Sequence, residues 1–544
     1  MGSNPLTSGL PKADQNICGS PERNGRRGRW IVQKFGGTSV GKFADNIAED
    51  IVKASLARNR IAVVCSARSS HSKADGTTNR LLRAAREAEQ SRSLQYEKIV
   101  NAICDEHSQA AITNIRSLEL QAGLVEQVEK ECLWLKDFLA AAQKIGEISP
   151  KSLDRIVSTG EKLSCQFITA LLQDRGVDTC YVDLSKVIAF KLSNGIDHDF
   201  YRRLAVALAE RVRACGEKVP IITGYFGTVP GGLLDQIGRG YTDLCAALVA
   251  VGLGAEKGGQ QEQGQVEELQ IWKEVDGIFT ADPRKVPTAR LLSTITPAEA
   301  AELTFYGSEV IHPFTMEQVI HARIPIRIKN VTNPRGSGTI ILPEALEGTD
   351  MTASAAAGHD PRPFRARSSM VMPKIQRPKR PTAVTIKHQI LVINVHSNKR
   401  SLSHGFFARI FSTLDKWRLS VDLISTSEVH VSMALHSESA LVSGAGEDEK
   451  EVVSHDLQGA IDELQQYGTV DILDGMAILS LVGKQMKNMV GIAGKMFSAL
   501  GENNVNIEMI SQGASEINIS CVIEERDADR AINILHTNLF TFLD

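Results

Sequence analysis

The segment Lys34-Phe-Gly-Gly-Thr-Ser-Val40 combines chemically useful residue types at the junction of a strand and a helix. Its two glycines, Gly36 and Gly37, would let the backbone approach a phosphate closely, and free amides at a helix start attract anions. Lys34 could neutralise charge on a transferring phosphoryl group. A plain turn with a surface lysine is the alternative interpretation, and the Walker A pattern GxxxxGK(S/T) is absent.

A second segment, Gly224-Tyr-Phe-Gly…Gly238-Arg-Gly-Tyr-Thr-Asp243, follows another strand-like run and begins a helix. A loop at the carboxyl end of a parallel strand is where α/β sheets bind ligands. Arg239 could form a forked contact with a carboxylate. Asp243 could take part in the chemistry, or it could be only a charge that the helix dipole favours.

A third segment, Lys273-Glu-Val-Asp-Gly-Ile-Phe-Thr-Ala-Asp-Pro-Arg284, is rich in turn signals. Its Asp-Gly and Asp-Pro pairs mark tight turns, at which polar groups could bind the ribose and phosphates of a nucleotide. Ordinary turns use the same residue types, so this segment alone leaves both interpretations open.

The three segments need a scaffold, and the apolar pattern over residues 29–342 predicts one. Strand-like runs alternate with amphipathic helical stretches, which indicates βαβ crossovers and a mostly parallel sheet covered by helices on both faces. The predicted strands are 31–35, 61–66, 180–184, 219–224, 269–275 and 326–329, and the predicted helices are 43–58, 78–107, 199–215 and 242–253.

Three other stretches lack this pattern. Residues 1–28 are rich in Gly, Pro, Ser, Asn and Arg without a hydrophobic signal segment, which predicts a disordered tail. Residues 254–268 are polar and rich in Gly and Gln, and we expect a mobile surface insertion there. Residues 343–382 carry many Pro, Ala, Ser and Arg residues, which is typical of an interdomain linker.

The C-terminal region contains an internal repeat. Phe411-Ser-Thr-Leu and Ser420-Val-Asp-Leu-Ile-Ser recur 86 residues later as Phe497-Ser-Ala-Leu and Asn506-Ile-Glu-Met-Ile-Ser. Strand and helix patterns keep the same order around both copies. The repeat therefore predicts two βαββαβ units, over 383–470 and 471–544.

Composition narrows the class of protein. The 544 residues are 42% hydrophobic and 23% charged, which is ordinary for a soluble chain of several domains. The net charge of −3 does not indicate a surface that binds nucleic acid. No apolar stretch approaches the roughly 20 residues that span a bilayer. Nine cysteines without a CxxC pair or zinc-type cluster favour a reducing, cytoplasmic location and no protein metal site.

Taken together, KFGGTSV, GRGYTD and VDGIFTADPR, in this order, resemble the aspartate kinase branch of the amino acid kinase family. The resemblance continues through residues 64–66, 77–79, 158–161 and 307–313. It covers both C-terminal repeats, which look like the paired ACT domains of feedback-regulated members. HPFTMEQVI and VDLISTSEVHVSMAL are similar to the fungal, monofunctional form. The implied fold is an α/β amino acid kinase domain followed by two α+β ACT domains.

This resemblance implies ATP-dependent phosphorylation of the β-carboxylate of L-aspartate, with Mg²⁺, as the first step towards threonine, methionine and, in some organisms, lysine. It assigns Lys34 to the transferred phosphate and Asp243 to orienting that lysine or organising Mg²⁺. The implied ATP-binding and phosphate-binding positions are Gly36, Gly37, Ser66, Glu274, Phe279, Asp282 and Arg284. The implied aspartate-binding positions are Thr78, Glu161 and Arg239.

These assignments are chemically consistent. Glu161 can pair with the ammonium of aspartate, and Arg239 with its α-carboxylate. The β-carboxylate is then an already charged nucleophile that needs no general base, so positioning and charge neutralisation should supply most of the catalysis. Three positions depart from bacterial relatives, at Lys273-Glu274, Phe279 and Glu309, and they leave the adenine and ribose contacts open.

The same resemblance implies a regulated enzyme. Its effector positions correspond to Ser403, Gly405, Ser420, Val421 and Asp422, with threonine favoured over lysine as the effector. Ser420 could instead be a simple strand-start residue. ACT units commonly complete their sheets by pairing, so a homo-oligomer is also expected.

Four other functions were weighed against this one. A glutamate, acetylglutamate or uridylate kinase would keep a glycine-rich loop, but would not be expected to combine KFGGTSV with two ACT units. A regulatory protein with an inactive kinase domain would have lost Lys34 or Arg239. A fusion to homoserine dehydrogenase would need a second dinucleotide fold and several hundred further residues. A scaffold would not turn over ATP when aspartate is present.

Overall fold

The computed structural model describes two sheet-based regions. The described residues are 28–69, 75–90, 92–190, 196–255, 266–307, 311, 313–343, 380–397, 405–427, 430–436, 455–484, 486–512 and 517–541. Almost all of the predicted tail, most of the predicted linker and residues 256–265 of the predicted insertion lie outside them. No helix in these ranges has the length and apolar character needed to cross a membrane.

The first sheet is mostly parallel, as predicted. Its strands are β1 (Trp30–Phe35), β2 (Arg60–Cys65), β3 (Thr179–Val182), β4 (Val219–Thr223), β5 (Val266–Lys273), β6 (Thr294–Ile295), β7 (Ile326–Asn330) and β8 (Thr339–Ile341). They lie in the order β3-β4-β2-β1-β5-β7-β8-β6, and only the β7–β8 pair is antiparallel. The central strands are near-continuous apolar runs because both faces of the sheet are covered.

Helices cover both faces of this sheet. They are α1 (Gly37–Lys42), the π-wound segment Asn46–Lys53 with α2 (Ala54–Leu56), α3 (Thr77–Glu89), α4 (Gln95–Asn114), α5 (Leu118–Ile145), α6 (Pro150–Asp174), α7 (His198–Arg213), α8 (Leu233–Ile237), α9 (Tyr241–Gly254), α10 (Pro297–Phe305) and α11 (Pro313–His321). One hydrophobic core includes side chains of α7 and α9, and a second includes side chains of α3 to α6. The sheet is therefore enclosed between two helical layers.

Several predicted elements differ from those in the structure. The helix predicted over 78–107 is two helices, α3 and α4, because α3 ends at Glu89 and Arg92 has a φ of 69°, which a helix does not allow. The long helices α5 and α6 were not assigned from the sequence pattern. The predicted insertion at 254–268 is shorter, since α9 continues through Gly254 and β5 begins at Val266.

The second sheet is antiparallel throughout. It contains β9 (Ala383–Ser397), β10 (Val421–Thr426), β11 (His430–His436), β12 (Gly468–Val482), β13 (Met509–Ser511) and β14 (Asn518–Glu524), in the order β10-β11-β9-β12-β14-β13. Its helices are α12 (Phe406–Lys416), α13 (His455–Leu464), α14 (Ile492–Glu502) and α15 (Ala528–His536). Both ends of α14 lie 86 residues after the ends of α12, the spacing of the sequence repeat.

The two repeats share the long strands β9 and β12. The second half of β9 pairs with β11 and with the first half of β12, whereas the first half of β9 pairs with the second half of β12, beside β14. The fourth strand of the second unit therefore comes from residues 383–387, ahead of the first unit. The predicted division at 470 and 471 falls inside β12, because pairing between distant segments determines the units.

The two regions contact each other closely at the end of α10. Thr385 donates a hydrogen bond of 3.0 Å from its hydroxyl to the carbonyl of Tyr306. Gly307 has a φ of 106°, and a Cβ there would lie 2.4 Å from the carbonyl oxygen of Ile386. Only glycine allows this approach without strain, so the chain after α10 is fitted against β9.

Candidate active site

An ion pair between Lys34 and Asp243 marks the carboxyl edge of the first sheet. Lys34 is near the end of β1 and Asp243 lies in the first turn of α9, with Nζ and Oδ1 2.7 Å apart. The two side chains are 13% and 17% exposed, so water screens their attraction less than at an open surface. The structure thus brings together the two residues that the sequence assigned to catalysis.

The two glycines after β1 have different surroundings. A Cβ at Gly37 would lie 2.1 Å from the carbonyl oxygen of Ala67, while a Cβ at Gly36 would meet nothing within 4 Å. The amide of Ser69 donates to the carbonyl of Gly37 at 2.9 Å, and the amide of Ser66 donates to that of Phe35 at 3.1 Å. Gly37 therefore fits this loop against the chain that follows β2, and Gly36 faces open space that a ligand could occupy.

Ser39 connects the glycine loop to the end of β5. Its hydroxyl donates a 2.7 Å hydrogen bond to Oε1 of Glu274, one of the predicted nucleotide-binding residues. Ser39 is fully buried, whereas Glu274 is exposed. Ser39 lies inside the KFGGTSV segment but was not among the predicted site residues.

Glu161 is a buried carboxyl group at the centre of the site. It lies in α6 and is 1% exposed; its Oε2 accepts the amide of Tyr225 at 2.5 Å and its Oε1 accepts the hydroxyl of Thr242 at 2.7 Å. Burial raises the pKa of Glu161 to about 7, while these hydrogen bonds and the charge of Lys34 act in the opposite direction. Glu161 therefore joins α6, the loop after β4 and the start of α9.

The other two predicted aspartate-binding residues lie at helix starts. Thr78 is in the first turn of α3 and is partly exposed. The backbone of Arg239 forms a 3-10 turn, Gly238–Gly240, directly before α9. The side chain of Arg239 lies outside the described part of the structure.

Partly buried charges support the chain that follows β2, and the sequence did not predict them. Glu106 in α4 contacts Arg68 in the loop, with Nη1 and Oε1 3.4 Å apart, and it also pairs with Arg80 in α3. The neighbouring His107 has a pKa of about 3, lowered first by burial and then by Arg68. No local pattern predicts this network, because its members come from separate elements.

The remaining predicted nucleotide residues lie on a hairpin after β5. Phe279 forms an isolated antiparallel bridge with Leu291. Nη2 of Arg284 is 2.8 Å from Oδ2 of Asp282, and these contacts lower the pKa of the aspartate. Asp282 and Arg284 therefore bind each other in this structure.

A neighbouring loop was not predicted to take part. Oδ1 of Asp276 accepts hydrogen bonds from the side-chain amides of Asn330 and Asn333, both at 3.1 Å. Asn330 is the last residue of β7, the strand next to β5 in the sheet, and Asn333 follows it. They are therefore additional candidates to line a nucleotide site.

The predicted effector residues are spread around the first repeat. Ser403 lies outside the described residues, Gly405 precedes α12 with a φ of 87°, and Ser420 is exposed just before β10. Val421 and Asp422 begin β10, and both oxygens of Asp422 lie 2.8 Å from Nζ of Lys387. Asp422 is 5% exposed, so its partner in this structure is a lysine of the same chain.

The described residues contain no cluster of three or more His, Cys, Asp or Glu side chains arranged to hold a metal ion. Mg²⁺ in phosphoryl-transfer sites commonly uses one or two protein carboxylates together with the phosphates of the substrate. Asp243 and Glu274 are carboxylates at this edge that fit such a partial ligand set.

Comparison with known proteins gives consistent results. Residues 29–330 match the amino acid kinase family, and residues 479–539 match the ACT domain. An aspartokinase of Candida albicans is 53% identical over 530 residues, covering 95% of this chain and 91% of that protein. An aspartokinase of Saccharomyces cerevisiae is 51% identical over 521 residues, covering 94% and 93%.

Solved structures of an aspartokinase also match this chain over most of its length. Escherichia coli aspartokinase III in complex with aspartate and ADP, described as the R-state, has a TM-score of 0.67 and 27% identity, and the match covers 94% of this chain and 99% of that chain. The same enzyme in complex with lysine and aspartate, described as the T-state, has a TM-score of 0.68 with the same identity and coverage.

Proposed function

The chain belongs to the aspartokinases of the amino acid kinase family, and we propose that its Lys34 edge transfers the γ-phosphoryl group of ATP to the β-carboxylate of L-aspartate, giving 4-phospho-L-aspartate. The observation that carries this proposal is the ion pair of Lys34 with Asp243 beside the open glycine Gly36. A fixed cation next to a glycine loop is suited to a phosphoryl group in transfer.

In this proposal the residues around Lys34 bind and position the phosphoryl group. Lys34 neutralises charge on the transferred phosphoryl group, and Asp243 holds the ammonium of Lys34 in place. Gly36 gives the backbone access to the phosphates, while Gly37 and Ser66 shape the loop. The β-carboxylate of aspartate is charged at neutral pH, so it attacks without a general base.

Glu161, Arg239 and Thr78 hold the substrate aspartate. Glu161 binds the ammonium through the lone pairs that Tyr225 and Thr242 leave free, and Arg239 binds the α-carboxylate. The hydrogen bonds to Glu161 also fix the loop after β4, so the same carboxylate both positions the loop and binds substrate.

ATP is held by the segment after β5. Glu274 lies next to the glycine loop through Ser39, and Phe279, Asp282 and Arg284 lie on the adjacent hairpin. Arg284 exchanges its pairing with Asp282 for a phosphate when the nucleotide binds. Asp243 and Glu274 are the carboxylates that would hold Mg²⁺, which would supply further charge neutralisation when bound.

The direct test is turnover of the purified chain with ATP and Mg²⁺. ADP formation should require aspartate, and hydroxylamine should trap the acyl phosphate as a hydroxamate; glutamate serves as the control substrate. ADP formation that is independent of aspartate, or faster with glutamate, contradicts the proposal.

We also propose that the enzyme is cytoplasmic and catalyses the first step towards threonine and methionine. Threonine inhibits it by feedback, and it forms a homo-oligomer that pairs through its ACT units. The ACT match and the repeat support a regulatory role. Separate titrations of the activity with threonine and with lysine, with the mass in solution measured by light scattering, test the last two points. Inhibition by lysine alone, or a monomer with full threonine sensitivity, contradicts them.

A further inference from the structure

The predicted nucleotide residues lie on a short hairpin that we name the nucleotide hairpin, residues 278–292. The amide of Thr280 donates to the carbonyl of Arg290 at 2.9 Å, and the amide of Leu292 donates to the carbonyl of Ile278 at 2.8 Å. Its turn contains Asp282 and the residues that follow. A two-stranded hairpin of this length is only marginally stable by itself, so it needs support from other elements.

That support comes from the second sheet and its last helix. Ala281 and Val286 of the hairpin are buried in the hydrophobic core of the second C-terminal repeat. The amide of Val384 in β9 donates to the carbonyl of Thr280 at 2.8 Å. Nζ of Lys285 is 2.7 Å from Oδ1 of Asp529 in α15. The hairpin therefore packs against the second sheet and α15, although it follows β5 of the first sheet.

His536, at the end of α15, makes the most specific of these contacts. Its Nε2 is 2.8 Å from the hydroxyl of Thr280, and its Nδ1 is 3.2 Å from the hydroxyl of Thr288. The ring is 1% exposed and stacks on Phe540, whose carbonyl accepts a 2.9 Å hydrogen bond from Arg290. One imidazole thus bonds to the first strand of the hairpin at Thr280 and to its turn at Thr288.

The ring has little freedom to leave this arrangement. Burial and the nearby Arg290 lower the pKa of His536, so the neutral ring donates through one nitrogen and accepts through the other. Thr280 also accepts the amide of Arg290 at 2.9 Å, which fixes the direction of its hydroxyl. The position of α15 is therefore coupled to Thr280, where the two strands meet, and to the turn of the hairpin.

We propose that His536 is a positioning residue for ATP: it holds the nucleotide hairpin in the geometry in which Phe279, Asp282 and Arg284 bind the nucleotide. The inference rests on the proposed function, because the hairpin is assigned to ATP there. His536 is then the physical connection through which α15 acts on the nucleotide hairpin.

The test uses the full-length enzyme with His536→Phe, which keeps the stacking on Phe540 and removes both hydrogen bonds. The KM for ATP should rise at least about tenfold, since two net hydrogen bonds are lost. The KM for aspartate should stay within about twofold of wild type, and kcat should recover at saturating ATP, the pattern of lost ground-state binding. Asn538→Ala is the matched control, because Asn538 is exposed just after α15 and, among the described contacts, its side chain donates only to the carbonyl of Ile534.

Thr288→Val tests the same contact from the exposed side of the hairpin, in case His536→Phe does not fold. It should also raise the KM for ATP. Combined with His536→Phe it should cause no further rise, because both substitutions remove the same hydrogen bond between Thr288 and His536. An unchanged KM for ATP, or equal rises of both KM values, overturns the inference. If Arg284→Ala also leaves the KM for ATP unchanged, the assignment of the hairpin to ATP fails; if Arg284→Ala raises it, only the role of His536 fails.

Discussion

At the scale of single residues, the candidate site depends on charges that the fold has partly removed from water. Lys34 and Asp243 are close and shielded, so each holds the other in one position. Such preorganised charge is effective in catalysis because it need not reorient when charge develops on the transferred group. Removing either residue leaves the other without its partner.

Lys34→Ala should lower kcat by about 10² to 10³, the scale observed when one electrostatic donor is removed from an active site. Steady-state kinetics measures the effect. Lys53→Ala is the matched control, because Lys53 is exposed and pairs with Glu49 at 2.9 Å on the surface. A Lys34 variant that keeps more than half of the wild-type kcat is incompatible with the assignment.

The raised pKa of Glu161 predicts a pH dependence for aspartate binding. Only the ionised carboxylate can pair with an ammonium, and burial places its pKa at about 7. kcat/KM for aspartate should therefore fall as the pH drops below about 7, since this parameter reports the free enzyme. Glu161→Gln should have a low kcat/KM for aspartate without this inflection, and an unchanged inflection would assign it to another group.

The same shift affects stability in the opposite direction. The folded-state pKa of Glu161 lies above its ordinary value of 4.5, so the folded protein binds the proton more tightly than the unfolded chain does. Its contribution to stability is fully present below about 4.5 and is lost as the pH rises to about 7. At neutral pH the ionised form of Glu161, which the proposed binding of aspartate requires, therefore makes the folded protein less stable than the protonated form does.

At the scale of elements, the glycine loop and the chain after β2 form one packed unit. Gly37 is in contact with the backbone of Ala67, and the amides of Ser66 and Ser69 donate hydrogen bonds to carbonyls of the glycine loop. Two parallel strands, β1 and β2, thus end in loops that support each other. Packing therefore fixes the shape of the proposed phosphate-binding loop.

Gly36→Ala and Gly37→Ala should have different consequences, which makes them a matched pair. A methyl group at Gly37 meets a backbone oxygen at 2.1 Å, so Gly37→Ala should destabilise the protein by about 3 kcal/mol or more. A methyl group at Gly36 has open space and an allowed φ of −73°, so Gly36→Ala should fold normally and raise the KM for ATP. Thermal unfolding and kinetics separate the two effects.

Equal stability of the two variants would show that the loop adapts. An unchanged KM for ATP in Gly36→Ala would mean that the nucleotide does not approach this glycine. Each outcome contradicts a different part of the proposed loop function.

At the scale of the whole molecule, the proposed effector position is joined to the kinase region by a short series of contacts. Asp422 pairs with Lys387 in β9, and the ammonium of Lys387 lies 4.9 Å from the ring centroid of Phe305 at the end of α10. An effector ammonium that binds Asp422 must compete with Lys387. Binding would therefore alter a contact at the junction of the two regions.

Asp422→Ala should shift the threonine inhibition curve to at least about tenfold higher concentration, since losing one partner of a desolvated charged pair costs about 2–5 kcal/mol. The double variant with Lys387→Met removes the unpaired lysine and guards against misfolding. Asp415→Ala, at an exposed position of α12, is the control. Lost basal activity with unchanged threonine sensitivity would mean that Asp422 is structural.

The sequence by itself determined the family, the mostly parallel sheet and the ACT repeat. Short-range patterns carry this information: a glycine pair after an apolar run, alternating strands and helices, and a repeat of 86 residues. Lys34 and Asp243 were assigned from such segments, and the fold places them 2.7 Å apart. Local patterns are enough to predict such a pair, because the loops that follow parallel strands all lie at the same edge of the sheet.

Only the tertiary structure decided which distant segments meet. The network of Glu106 with Arg68 and Arg80, the ion pair of Asp422 with Lys387, and the contact of His536 with the nucleotide hairpin join residues that are between 26 and 256 positions apart. The sharing of β9 between both ACT units has the same origin. Side-chain contacts of this kind depend on how whole elements pack, and no periodicity within one segment records them.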